Sequence, residues 1–222
     1  MKPEAAVLFD LDGTLADTAP DLAAAVNRMR RDQGMEALPI ERLRPFASAG
    51  ARGLVFAGLG VKPEDAEYEA LRETFLDFYA EGLCVKTRLF PGIGELLAEL
   101  ARRRLAWGVV TNKATRFTER LVAELKLKVE PACVVCGDST PHLKPHPAPL
   151  LLAAERLGLD PRRCWYLGDD LRDIQAARAA GMRPVAVEWG YHHPEKGAPA
   201  EWQADAVIAQ PADLLPLLTE RP

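Results

Sequence analysis

Two hydrophobic patterns alternate along the chain and predict its secondary structure. Short apolar runs, typical of strands buried on both faces of a sheet, lie at residues 5–9, 105–110, 132–136, 164–167 and 185–187. Segments with apolar residues at helical spacing lie between the later runs, at 93–100, 115–125, 148–157 and 171–180. This alternation predicts an α/β fold with a doubly wound, Rossmann-like parallel sheet.

A helical insertion is predicted after the first strand. Leu22, Val26 and Met29 recur at helical spacing after Thr18, which is expected to cap the helix, and further helical stretches follow at about 41–59 and from about residue 63. This interval is too long for a plain loop in a compact domain. We therefore expect a helical cap domain at residues 18–89, inserted into a core domain made of residues 1–17 and 90–222.

The charge balance and the lack of long apolar runs narrow the choice of partners. The 222 residues include 28 basic and 32 acidic side chains, a net charge of −4, and no basic stripe, which argues against nucleic acid and anionic membranes as partners. No segment approaches the roughly 20 apolar residues of a membrane span, and no signal peptide is apparent. We therefore expect a cytoplasmic protein, either a monomer or a homodimer.

Cys133 and Cys136 have the spacing of redox and zinc sites. They lie within a predicted strand, where an odd offset places two side chains on opposite faces, and no second cysteine pair completes a zinc set. We interpret both as buried structural cysteines.

Two carboxylates, Asp10 and Asp12, follow the first predicted strand directly and precede Gly13. Open α/β sheets bind ligands beyond the carboxyl ends of their strands, so both acids are expected to face a crevice. Acids this close repel each other, and a shared divalent cation with oxygen ligands, such as Mg²⁺, would relieve the repulsion. The alternative interpretation is a turn in which Asp and Gly only end the strand and have no functional role.

Three further polar strings follow predicted strands or loops that reach the same crevice. Thr111-Asn112-Lys113 comes after the second core strand, Lys144-Pro145 lies in a later loop, and the acidic string with Asp169 and Asp173 follows the fourth strand. Each has an ordinary explanation by itself: Thr and Asn cap helices, Lys-Pro occurs in surface loops, and acids stabilise helix N-termini.

The order of these four strings changes their interpretation. The stretch from Phe9 to Thr18 resembles the first signature of the haloacid dehalogenase superfamily of phosphohydrolases, and the other three strings match its second, third and fourth signatures. The resemblance implies that Asp10 attacks phosphorus and forms an aspartyl phosphate, while Asp12 acts as general acid and base. It also implies that Thr111 hydrogen-bonds the phosphoryl group and that Lys144 neutralises it and holds Asp10.

The resemblance also implies a set of metal and substrate ligands. Asp10, Asp12 and Asp169 would ligate Mg²⁺, Asp173 would hold metal-bound water, and Asn112 would contact the substrate. Asp170 occupies a position often taken by Ser or Thr, and its role stays open, as do those of the histidines at 146, 192 and 193.

A cap over the crevice favours a small phosphate ester as substrate. Arg52 lies on a glycine-flanked break between predicted cap helices, where it either binds a substrate carboxylate or is a solvated surface residue. Short sequence motifs over nearly the full chain resemble two families of phosphatases whose substrates carry a carboxylate. One family acts on N-acetylmuramic acid 6-phosphate and the other on 2-phosphoglycolate, and we favour the first. A mutase and a catalytically silent phospholigand-binding regulator are also compatible with the sequence.

Overall fold

A six-stranded parallel sheet forms the centre of the computed structural model, which describes residues 3–218. Its chain contains β1 (Ala6–Phe9), β2 (Ala16–Asp17), β3 (Arg88–Leu89), β4 (Ala106–Val110), β5 (Cys133–Val135), β6 (Cys164–Gly168), β7 (Arg183–Val187) and β8 (Ala206–Ile208). The order in the large sheet is β5-β4-β1-β6-β7-β8. After β1 the chain therefore first adds β4 and β5 on one side of it and then adds β6, β7 and β8 on the other side. The predicted doubly wound α/β fold is confirmed.

Helices cover both faces of this sheet and fill the interval between β2 and β3. They are α1 (Ala19–Asp32), α2 (Ile40–Leu43), α3 (Gly50–Leu59), α4 (Tyr68–Glu81), α5 (Ile93–Arg102), α6 (Thr115–Glu124), α7 (Ala148–Leu157), α8 (Leu171–Ala179) and α9 (Leu214–Leu217). A 3₁₀ segment, Arg44–Ala49, joins α2 to α3. None of the helices within residues 3–218 is long and apolar enough to span a lipid bilayer.

β1 is apolar throughout because both of its faces are covered. Val7 and Phe9 belong to one hydrophobic cluster, whereas Ala6 and Leu8 belong to another on the opposite face. The parallel arrangement therefore explains the continuous apolar run that predicted this strand.

Helices α1 to α4, here called the helical insert, begin and end at a short antiparallel ladder. Ala16 pairs with Leu89 and Asp17 with Arg88, which brings the two connections to the insert together. The buried carboxylate of Asp21 also accepts hydrogen bonds from the backbone N–H groups of Lys86 and Thr87. The sequence did not predict β2 and β3, because a strand of two residues has no measurable period.

Two local predictions have opposite outcomes. Helix α1 begins at Ala19, but the side chain of Thr18 does not cap it, and this detail of the prediction was wrong. The Thr18 hydroxyl donates instead to Asp12, because that carboxylate is brought within 2.5 Å. Cys133 and Cys136 are both buried and unpaired, as predicted.

Candidate active site

Three loops meet where the chain changes direction in the sheet. β4 and β6 flank β1, and all three run parallel, so Asp10, Thr111 and Asp169 emerge at the same edge. Gly13 has φ +87°, and a Cβ at this position would lie 2.2 Å from Oδ2 of Asp169. Glycine therefore allows the loop after β1 to approach Asp169 closely.

The ammonium group of Lys144 lies between two buried carboxylates. Its Nζ is 2.9 Å from Oδ1 of Asp10 and 2.7 Å from Oδ1 of Asp173, and the side chain is 3% exposed. It also donates to the Tyr166 hydroxyl at 2.7 Å. Burial opposes the positive charge, but the two carboxylates outweigh this effect and raise the pKa of Lys144 above its ordinary value.

Asp10, Asp169 and Asp173 form a cluster that fits a divalent cation. One oxygen from each carboxylate lies within 4.8 Å of the others. Burial, only partly opposed by Lys144, raises the pKa of Asp10 to about 6. Burial, followed by the charges of Asp10 and Asp173, raises the pKa of Asp169 to about 8. When all three carboxylates are ionised, one ammonium group leaves an excess of negative charge, and oxygen ligands are those that Mg²⁺ prefers.

The carboxylate of Asp12 lies outside this cluster. Its Oδ1 is 2.8 Å from Nζ of Lys113 and 2.5 Å from the Thr18 hydroxyl. The sequence predicted that one shared metal cation relieves the repulsion between the charges of Asp10 and Asp12. In the structure, the ammonium group of Lys113 pairs with the charge of Asp12. Asp173, expected to hold only metal-bound water, supplies the third carboxylate of the cluster. The ligand roles assigned to Asp12 and Asp173 stay predictions.

Thr111 and Asn112 line the same cavity. The Thr111 hydroxyl is buried and accepts a hydrogen bond from the backbone N–H of Lys113. The side-chain amide of Asn112 pairs with the backbone of Lys144 in both directions, at 2.9 and 3.0 Å. Asn112 therefore holds the loop that carries Lys144, and its predicted contact with substrate stays a prediction.

Asp169 accepts hydrogen bonds from three separate parts of the chain. Its donors are the hydroxyls of Thr14 and Ser48 and the backbone N–H of Tyr191, each at 3.0 Å. Ser48 belongs to the 3₁₀ segment of the helical insert, so the insert contacts the carboxylate cluster directly.

Asp170 has a different environment from its neighbour Asp169. Arg172 and Lys196 both bind its carboxylate, at 2.9 and 2.8 Å. Burial would raise the pKa of Asp170, but these cations outweigh it and lower the pKa to about 2. Asp170 also caps α8 through the backbone N–H of Arg172. Its contacts indicate a structural role.

The three histidines whose roles the sequence left open do not line the cavity. His146 is exposed and accepts from the backbone N–H of Ala148. His192 contacts the carbonyl of Val187, and His193 packs edge-on against Phe46.

A cavity of about 610 Å³ lies between the core and the helical insert. Asp10, Asp12 and Lys144 of the core line this cavity, and so do three arginines and several aromatic and aliphatic side chains. These include Arg52, Tyr68, Arg72, Phe75, Leu76 and Tyr79 from the insert, together with Arg116 and Phe117 from α6. The cavity volume is typical of small-molecule sites.

Arg52 lies in the first turn of α3 and is exposed to the cavity. Within residues 3–218 its guanidinium makes no hydrogen bond or ion pair. Arg72, in contrast, is bound to Glu69 and Glu73. Of these two arginines of the insert, Arg52 is therefore the one available to a ligand anion.

A family model for haloacid dehalogenase-like hydrolases matches residues 7–187. The chain belongs to this family. An N-acetylmuramic acid 6-phosphate phosphatase from Pseudomonas aeruginosa is 46% identical to this hydrolase over 213 residues, covering 96% of this chain and 94% of that protein. A phosphoglycolate phosphatase from Xanthomonas campestris pv. campestris is 42% identical over 212 residues, with 94% of each chain covered.

A solved structure of a predicted phosphoglycolate phosphatase from Haemophilus somnus is also similar to this hydrolase. The TM-score is 0.82 at 28% identity, over 98% of this chain and 99% of the other. Together with the family match, these relatives confirm the predicted superfamily and the predicted enzyme class, a phosphoric monoester hydrolase.

Residues of the hydrolase site that were not anticipated from the sequence include Thr14, Ser48, Lys113 and Tyr191. Thr14 and Lys113 lie within the first two sequence motifs described above. Their closeness in sequence to Asp12 and Thr111 could therefore have marked them as site residues. Ser48 is 121 positions from Asp169, and no local pattern marks it.

Proposed function

We propose that this hydrolase releases phosphate from N-acetylmuramic acid 6-phosphate, through an aspartyl-phosphate intermediate and with bound Mg²⁺. The observation that carries the proposal is the cavity, which joins the carboxylates of Asp10 and Asp12 to the unpaired guanidinium of Arg52. A phosphate ester at one end and a carboxylate at the other suit these groups. The 46% identity to a phosphatase of this name supports the choice.

Asp10 is the proposed nucleophile. Its carboxylate oxygen forms a bond to phosphorus as the bond from phosphorus to the ester oxygen breaks, which splits one difficult displacement into two easier steps. Lys144, 2.9 Å away, favours the ionised form of the Asp10 carboxylate and orients it. Lys144 and the Thr111 hydroxyl would also stabilise charge on the phosphoryl oxygens.

Asp12 is the proposed general acid and base. It would protonate the departing alkoxide and then take a proton from the water that hydrolyses the aspartyl phosphate. Lys113 and the Thr18 hydroxyl hold its carboxylate at the cavity wall.

Asp10, Asp169 and Asp173 form a carboxylate cluster that could hold Mg²⁺. When bound, the ion would supply positive charge to neutralise the transferring phosphoryl group. A cytoplasmic location and a monomeric or homodimeric state stay predictions from the sequence.

2-Phosphoglycolate is the second candidate, supported by the 42% identical relative. A two-carbon acid would leave most of the 610 Å³ cavity unfilled, which favours the larger amino-sugar substrate. A catalytically silent regulator is disfavoured, because Lys144 orients an intact nucleophile candidate.

Steady-state kinetics with Mg²⁺ on N-acetylmuramate 6-phosphate, N-acetylglucosamine 6-phosphate and 2-phosphoglycolate test the proposal. We expect kcat/KM to be at least about tenfold higher for N-acetylmuramate 6-phosphate, the worth of one contact to a charged group. A preference for 2-phosphoglycolate would favour the second candidate. Binding without phosphate release would favour a regulator.

A further inference from the structure

The hydroxyl group of Tyr79 is buried and forms no hydrogen bond within residues 3–218. Tyr79 lies on α4, is 2% exposed and lines the cavity. The indole nitrogen of Trp107 is also buried without a partner, but Trp107 does not line the cavity. Tyr79 thus brings an unsatisfied neutral polar group to the substrate cavity.

Packing alone does not account for this hydroxyl. The Tyr79 ring is parallel to that of Phe75, with centroids 6.4 Å apart, and packs against Phe117 at 5.4 Å. A phenylalanine would make the same ring contacts without burying an unpartnered hydroxyl, which costs free energy. The hydroxyl is therefore suited to a partner that arrives with the ligand. Burial, only partly opposed by the charge and the polar contact of Lys113, raises the pKa of Tyr79 to about 12, so the phenol keeps its proton at neutral pH. An ammonium group can only donate, so Lys113 leaves the phenol proton free for an acceptor on the ligand.

The position of Tyr79 indicates which part of a ligand it meets. Nζ of Lys113 lies 4.7 Å from the centroid of the Tyr79 ring and binds Asp12, the proposed acid for the leaving oxygen. The phenol is therefore close to the carbon skeleton next to that oxygen. In a hexose 6-phosphate, the ring oxygen and a ring hydroxyl lie a few bonds from the ester oxygen, whereas 2-phosphoglycolate has no uncharged oxygen beyond its ester.

We propose that Tyr79 is a specificity-determining residue whose hydroxyl hydrogen-bonds an uncharged oxygen of a sugar ring in the substrate. This inference rests on the proposed function, since it assumes a sugar phosphate. It separates two tasks in the cavity: Arg52 recognises the carboxylate, and Tyr79 recognises the sugar.

The test is Tyr79→Phe, which removes only the hydroxyl and keeps the ring beside Lys113. kcat/KM is measured on N-acetylmuramate 6-phosphate, N-acetylglucosamine 6-phosphate and 2-phosphoglycolate. We expect a loss of about 3- to 10-fold on both sugar phosphates, the worth of one neutral hydrogen bond, and less than about twofold on 2-phosphoglycolate. The thermal midpoint without ligand should stay nearly the same, because no protein group within residues 3–218 accepts the hydroxyl proton.

Equal losses of kcat/KM on all three substrates would overturn the inference. They would show that the Tyr79 hydroxyl acts through Lys113 and Asp12 and does not contact the sugar. Unchanged kcat/KM on the sugar phosphates would overturn it as well. If the wild type hydrolyses both sugar phosphates equally well, the carboxylate specificity of the proposed function fails, yet Tyr79→Phe still decides the role of Tyr79. Hydrolysis of 2-phosphoglycolate alone would overturn both proposals.

Discussion

The hydroxyl of Ser48 in the helical insert donates a 3.0 Å hydrogen bond to Oδ2 of Asp169 in the core. The same residue accepts a hydrogen bond from Arg172 through its backbone carbonyl, at 2.8 Å. Two bonds to one residue thus connect the insert to the loop and helix that carry Asp169 and Asp173. Closure of the insert over the cavity would exclude water and strengthen the electrostatic contacts inside.

Ser48→Ala should weaken closure of the insert. We expect kcat/KM to fall about tenfold on all phosphate esters, since a hydrogen bond to a charged group is lost. Ser48→Thr keeps the hydroxyl and serves as the matched control in steady-state assays. A Ser48→Ala enzyme as active as the wild type would show that this bond does not hold the insert closed.

Lys144→Met should destabilise the fold and remove activity. The substitution leaves Asp10 and Asp173 buried without their shared cation, and breaking a buried pair in this way costs about 3–5 kcal/mol in the free energy of unfolding. Urea unfolding and phosphate release measure the two effects. The control is Lys128→Met, at an exposed position, where we expect no change. Equal stability of the two variants would contradict the prediction.

Asp10→Asn should abolish Mg²⁺-dependent release of phosphate from p-nitrophenyl phosphate, because the amide is a poor nucleophile. Circular dichroism should show an intact fold, since Lys144 still pairs with Asp173. Near-normal turnover by this variant would exclude Asp10 as the nucleophile.

The stability of the metal-free protein should fall as the pH rises from about 4 to about 8. The pKa values of Asp10 and Asp169 are raised from 3.8 to about 6 and about 8, so the folded state holds protons that the unfolded state has already released. The stability from these groups is therefore complete below their unfolded pKa and is lost as the pH passes their folded values.

Mg²⁺ should reverse this trend, because its binding requires ionised carboxylates. We expect saturating Mg²⁺ to raise the thermal midpoint more at about pH 8.5 than at about pH 5.5. Asp169→Asn should remove most of the gain. An increase that does not depend on pH would contradict the assignment of the cluster as the metal site.

Arg52→Ala should lower kcat/KM on N-acetylmuramate 6-phosphate by the equivalent of about 1.5–3 kcal/mol, the usual worth of a hydrogen bond to a charged group. Activity on p-nitrophenyl phosphate should change far less, since this ester has no carboxylate. Arg42→Ala, at an exposed position that does not line the cavity, is the control. Equal losses on both substrates would refute a role of Arg52 in recognition.

The sequence by itself determined the fold class and the neighbourhood of the site. The apolar run before Asp10 is typical of a strand covered on both faces, and strands that alternate with helices predict a parallel sheet. Parallel strands end at a common edge, which predicted that Asp10, Thr111 and Asp169 face the same crevice. The structure adds that β4 and β6 are the direct neighbours of β1. These features follow from local periodicity and from the rules of chain connection.

The family resemblance implied that Lys144 holds Asp10, but only the tertiary structure decided the other polar contacts of the site. Lys144 also pairs with Asp173, Asp12 pairs with Lys113, and Ser48 contacts Asp169. Each pair joins residues far apart in the chain, and a shift of a few ångströms in the packing of a helix would exchange one partner for another. Hydrogen bonds and buried ion pairs depend steeply on distance, whereas hydrophobic periodicity does not, so the pattern predicts the sheet but not the pairs.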